Sequence, residues 1–164
     1  MSHLQANRNP GWLSSALAVL LLCCSAARAD AIADWNAIAA TAVTASGRSD
    51  SYERSQVMAM VSVAMFEAVN LNEGRNSSLL RVSSPAPQGA SSEAAAAAAA
   101  HYVLSQIYPE QQASFSVALA RSLEAVPDGP EKVLGQVMGT KVGKDVYAAL
   151  RRGAPTTPAE APSR

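Results

Sequence analysis

The side chains able to do chemistry in this sequence are few and scattered. His101 follows a run of seven alanines, Ala94–Ala100, and the other histidine, His3, lies in the first ten residues. Glu67 sits near the end of an otherwise apolar stretch, Val57–Leu71 (VMAMVSVAMFEAVNL), with Asn70 three residues on. A buried carboxylate can act as a general base, and an imidazole can pass the proton on. Glu67 and His101 are thus the pair a small enzyme built on this chain would use. The structural reading is plainer. A carboxylate near a helix C-terminus opposes the helix dipole and calls for a partner. Arg48, Arg54, Arg75 and His101 are the candidates. A lone helical histidine is more often a core or surface residue than a ligand, since metal sites need several ligands. No HExxH, CxxC or paired-histidine spacing accompanies it. Ser62, Ser105 and Ser116 lack the base and acid of a triad. There is no P-loop and no GxGxxG. Met58, Met60 and Met65 at helical spacing read as core filler.

The elements that would carry these residues read as helices, and the fold class is all-α. Alternating strand patterns are nearly absent, whereas helical spacing occurs five times. The first helix is about Ala31–Ser46, with Ile32, Trp35, Ile38, Ala39, Ala42 and Val43 on one face and Gly47 as its stop. Trp35, between Asp34 and Asn36, reads as a core anchor. The second helix begins at a capping-box spacing, Asp50 and Glu53, and runs to about Asn70. It has no polar face, which predicts the middle of a bundle. At fifteen residues its apolar run is shorter than the roughly 20 that a membrane span needs. Asn72–Ser91 is a long connection that Leu79, Leu80 and Val82 would pin to the bundle. The third helix is about Ser92–Tyr108, capped by Ser91 or Ser92 and ended by Pro109. Its alanines permit close helix approach.

The fourth helix is about Glu110–Ala125, with Phe115, Leu119 and Leu123 on one stripe. The fifth is about Pro130–Arg152, with Asp128 and Glu131 as a second capping box. Its apolar face carries Leu134, Val137, Met138, Val142, Val146 and Leu150. Gly135, Gly139 and Gly143 recur every four residues, although each costs about 1 kcal/mol against alanine in a helix interior. Three on one face predict another backbone passing close by.

Residues 1–29 read as a secretory signal peptide. Arg8 marks its positive start, Trp12–Cys24 its apolar region and Ala27-Arg28-Ala29 its cleavage site. The mature chain would begin at Asp30 in the periplasm or outside the cell. Cys23 and Cys24 leave with this segment, so no disulfide is available. The 13 basic residues lose Arg8 and Arg28 while all 13 acidic ones remain, a net charge near −2. That is not the basic footprint of a nucleic-acid binder, and no membrane contact is expected after cleavage. Residues 30–152 read as one helical domain. Residues 153–164 read as a disordered, Pro-rich tail.

Four segments in order carry a resemblance: Asp34-Trp35-Asn36, AMVSVAMFEAVN (Ala59–Asn70), SSEAAAAAAAHYVLSQIYPEQQASF (Ser91–Phe115) and LARSLEAVPDGPEKVLG (Leu119–Gly135). Together they resemble the N-terminal helical half of bacterial vanadium-dependent haloperoxidase-like proteins, in the type 2 phosphatidic acid phosphatase superfamily. The resemblance implies an all-α part packed on a C-terminal catalytic bundle. That bundle would hold vanadate, or a phosphate intermediate, with a Lys and Arg cluster, a Ser-Gly-His segment and a second His. A multiply charged oxyanion needs such cations and backbone donors. The mature chain has one histidine, no Ser-Gly-His and no Arg-Pro segment. Where relatives place an aromatic-rich Arg-Tyr segment after the central helix, it reads Arg75-Asn76-Ser77-Ser78-Leu79-Leu80.

The expectation is therefore an exported, non-catalytic N-terminal part of such a protein. It has no catalytic, cofactor or metal residue of its own, and its implied partner is a missing C-terminal catalytic domain. A fragment, a frameshifted gene or a stand-alone module would all read this way. Glu67, Asn70, His101, Trp35 and Asn36 are the polar residues expected to fasten it. The alternative is a stand-alone periplasmic binding or scaffold module. Its contact surface would be the loop after Asn72 or the glycine-lined helix.

Overall fold

A computed structural model describes residues 31–47, 51–74, 78–80 and 89–152. Residues 1–29, read from the sequence as a signal peptide, and Arg48, Asp50, Arg75, Val82 and the tail lie outside these residues. Among the described residues there is no strand. The elements are α1 (residues 31–45), α2 (Ser51–Glu73), α3 (Ser92–Ile107), a short 3-10 turn at Pro109–Gln111, α4 (Gln112–Glu124) and α5 (Pro130–Arg151). The all-α bundle is thus what the chain forms. No helix among the described residues is long and apolar enough to cross a membrane.

Local chemistry sets the boundaries. α1 ends where Gly47 takes a φ of 69°, a left-handed conformation that a side chain disfavours. α2 runs one turn past Asn70 and stops at Gly74, whose φ is 62° and whose N–H donates to Asn70 O at 2.8 Å. Ser91 is the cap of α3, its Oγ accepting from Ala94 N. Tyr108 precedes a proline and leaves the helical region at φ −127°, ψ 69°. The expected cap of α5 is not made. Gly129 occupies the cap position, no side chain bonds there, and Asp128 instead pairs with Lys132 at 2.9 Å. One turn inside the helix, the Lys132 ammonium is a stronger donor to that carboxylate than a neutral backbone N–H would be.

The centre of the bundle is α3, not α2. All seven alanines, Ala94–Ala100, are buried, and α3 packs against α2, α4 and α5. α2 buries Val57, Met60, Val61, Ala64, Met65, Glu67, Ala68 and Asn70. Its other side is open: Ala59 and Ser62 are exposed and Phe66 is 40 % exposed. An apolar side chain on the outside costs little when a helix has one neighbour too few. A run of alanines buries little area per residue but lets three helices approach one axis.

The closest approach is between α3 and α5. A Cβ added at Gly135 would meet Ser91 O at 2.5 Å, and one at Gly143 would meet Ala99 O at 2.8 Å. At Gly139 it would collide with the Ala95 carbonyl. The second backbone called for by the glycine spacing is thus the alanine run of α3. The glycine face is consumed inside the bundle and is not a contact surface. Met138, Val142 and Val146 flank it and are buried, whereas Leu134 and Val137 point out of the core, contrary to the periodicity. The stripe shifted because the small residues, rather than the large ones, face the centre of the fold.

Candidate functional site

The five polar candidates fall into two groups. The first is built on Trp35, which is fully buried between α1, α3 and α4. Its indole N–H donates to Ser122 Oγ on α4 at 3.1 Å, as a buried indole requires. The ring meets His101 of α3 edge-on, with centroids 6.4 Å apart and planes at 85°. His101 Nε2 lies 3.4 Å from Ser116 Oγ on α4, at the long limit of a hydrogen bond. Burial of this half-buried imidazole pushes its pKa below the ordinary 6.5. Next along α1, Asn36 Oδ1 accepts from Ser62 Oγ of α2 at 3.3 Å. These contacts join four helices through neutral groups.

The Ser116–His101 proximity joins residues 15 apart on different helices, which the sequence reading missed by leaving Ser116 without a partner and setting His101 beside Glu67. Pro109 turning the chain back on itself was the available signal. The pair does not amount to a catalytic set. Among the described residues no carboxylate bonds the imidazole, and Ser116 sits on the outer surface of α4. No hydrogen bond or ion pair joins Glu67 to His101 either.

The second group is built on Glu67, fully buried on α2. Among the described residues neither Arg54 nor His101 bonds it; Arg48 and Arg75 lie outside the described residues. Glu67 Oε1 accepts the backbone N–H of Leu79 at 2.5 Å and of Leu80 at 3.1 Å. Two amide donors on one oxygen hold the carboxylate in place and favour its charged form. Oε2 is buried and accepts no hydrogen bond among the described residues. Leu80 packs on the core while Leu79 is exposed, so the carboxylate, and not the leucine pair, fixes this point of the connection. Asn70 is buried one turn away. Asn72 Nδ2 donates to Ala90 O at 2.6 Å and to Ser92 Oγ at 2.7 Å, which ties the end of α2 to the start of α3. Ser91 N then donates to Glu131 O of α5 at 2.8 Å.

Two clefts open at the surface. One, of about 490 Å³, runs between α1 and α4 beside Trp35. Ile38, Ala118 and Val126 form its floor, and Asp34, Glu93 and Arg121 its edge. The other, of about 540 Å³, lies between the start of α2 and the ends of α3 and α5.

The chain matches no family model, no curated protein and no solved structure. The geometry must therefore stand alone. Among the described residues, no group of three or more His, Cys, Asp or Glu side chains is placed to hold a metal ion. What the polar residues do together is join helices: Trp35 to α4, Asn36 to α2, Glu67 to the connection, Asn72 to α3.

Proposed function

We propose that this chain is a non-catalytic helical module that works by packing against a partner. By its resemblance, it is the exported N-terminal part of a vanadium-dependent haloperoxidase or acid phosphatase-like protein. The observation that carries the packing role is the outer face of α5. Val133, Leu134 and Val137 stand there together, with Val133 and Val137 58 % and 66 % exposed. Neighbouring exposed aliphatic side chains on one helix face mark a contact surface more often than isolated ones do. The resemblance adds the nature of the partner, a C-terminal bundle carrying the oxyanion site. The order of the four resembling segments supports it, since each lies on an element of one bundle. Vanadate belongs to that partner. Export rests on the composition of residues 1–29 alone.

The test has two arms. The purified chain is mixed with vanadate, peroxide and bromide, and halogenation above the protein-free control would overturn the non-catalytic reading. In the second arm, a hydrophobic dye is added and the sedimentation behaviour recorded. Dye binding or self-association is expected. A monomer that melts cooperatively and ignores the dye would favour the stand-alone module instead.

A further inference from the structure

We infer that the cleft between α1 and α4 binds a small zwitterion with an apolar side chain, an α-amino acid of the leucine type. Two helical stripes wall it: Ala31, Asp34 and Ile38 on α1, and Ala118, Arg121 and Ser122 on α4. Between the charged residues the surface is apolar, from Ile38, Ala118 and Val126. Its volume, about 490 Å³, falls within the range of small-molecule sites, roughly 300–1,000 Å³. Two contacts hold α1 and α4 antiparallel: the Trp35 indole on Ser122, and Gln111 Nε2 donating to Ala42 O at 3.1 Å. Asp34 is thereby level with Arg121 across the cleft.

Neither Asp34 nor Arg121 makes a hydrogen bond or ion pair among the described residues. The third charged residue of the lining, Glu93, is committed, since it accepts from Ser91 Oγ at 3.0 Å beside the cap of α3. A free anion and a free cation therefore face each other over an apolar floor. A lone cation would gain Asp34 but meet Arg121, and a lone anion the reverse. A molecule carrying both charges satisfies both walls. The start of α3 and the end of α4 bring partial charges of opposite sign to the rim, so neither sign dominates. The guanidinium can hold a carboxylate through two parallel bonds, and an ammonium can donate to Asp34. The side chain then lies on Ile38, Ala118 and Val126 and loses its contact with water. Both charged walls are exposed, so water screens them and selectivity for either head group is severalfold rather than thousandfold.

The experiment follows the backbone amide shifts of the isotope-labelled chain by NMR during titration with leucine, leucinamide, isocaproate and glycine. Leucine is expected to saturate, with shifts confined to α1, α4 and the start of α3. Leucinamide lacks the carboxylate and isocaproate lacks the ammonium; each is expected to bind about fivefold more weakly, the scale of an exposed charged contact. Glycine, with no apolar side chain, is expected not to saturate. Arg121→Gln should weaken leucine about fivefold without weakening leucinamide, and Asp34→Asn should weaken leucine without weakening isocaproate. Both residues are exposed, and thermal melting checks that the variants fold. No saturation by leucine, shifts centred on other helices, or glycine or a single-charge analogue binding as tightly as leucine would each overturn the assignment. So would a variant that titrates with leucine like the unaltered chain.

Discussion

Glu67 is a buried carboxylate whose Oε1 accepts two backbone N–H groups, and these surroundings say what replacing it would do. Glu67→Ala removes the acceptor of two backbone N–H groups and leaves a hole under the connection. The loss is expected to be about 3 kcal/mol, the sum of a charge-assisted hydrogen-bond term and a cavity term. Glu67→Gln keeps an acceptor for Leu79 and Leu80 but sets an amide NH₂ where Oε2 has no bonding partner. It is expected to cost about 1 kcal/mol. Urea denaturation of both variants checks the order; a glutamine variant as unstable as the alanine one would contradict it. His101 offers a second test at this scale. Desolvation penalises the imidazolium, so the folded value lies below the ordinary 6.5 and the unfolded chain takes the proton first. This contribution to stability is fully present above the unfolded value. It is lost as the pH falls from there to the folded value. The difference in stability between the unaltered chain and His101→Gln, measured by melting from pH 8 to pH 5, is therefore expected to shift against the histidine on acidification. A difference independent of pH would show that burial does not govern this ring.

At the scale of elements, the contact between α3 and α5 decides the fold. Gly139→Ala gains about 1 kcal/mol in helix propensity. It places a Cβ against the Ala95 carbonyl, and overpacking of this kind costs about 1–3 kcal/mol or more. Net destabilisation is expected, larger than for Gly143→Ala, where the nearest backbone atom is 2.8 Å away. Adding Ala95→Gly to Gly139→Ala should bring no rescue, because the collision is with the backbone O, C and Cα of residue 95 and not with its methyl group. Thermal melts of the three variants test this, and a rescued double variant would place the contact elsewhere. The glycine period and the alanine run were each legible in the sequence as devices for close approach. That they meet each other was not, because neither carries a signal of its partner. For the same reason the sequence points to α2 as the centre: hydropathy weighs methionine and valine above alanine, while the geometry of three converging helices favours the smallest side chain. The Glu67 latch was illegible for another reason. Its donors are backbone N–H groups, which every residue but proline carries, so side-chain candidates such as Arg54 and His101 gave no sign of them.

For the whole molecule the open question is which surface meets a partner. Two surfaces were legible as candidates, the loop after Asn72 and the glycine-lined face of α5, and the fold adds an apolar face that the bundle leaves bare. The glycine face lies against α3. The loop is held by Glu67 at Leu79 and Leu80. The bare face is the outer side of α5, and it can be tested without disturbing the fold. Val137 is 66 % exposed, so Val137→Lys removes apolar surface at a position where substitutions usually change stability by no more than about 0.5 kcal/mol. If α5 is the docking surface, this variant should lose most of the dye binding and self-association of the unaltered chain at an unchanged melting temperature. Val142→Lys supplies the contrast. Val142 is fully buried in the core, and a lysine there should unfold the bundle and raise dye binding. The two substitutions lie five residues apart on one helix and should move the dye signal in opposite directions. A Val137→Lys variant that binds dye as before would remove α5 from the interface and leave the groove between α1 and α4 as the next surface to alter.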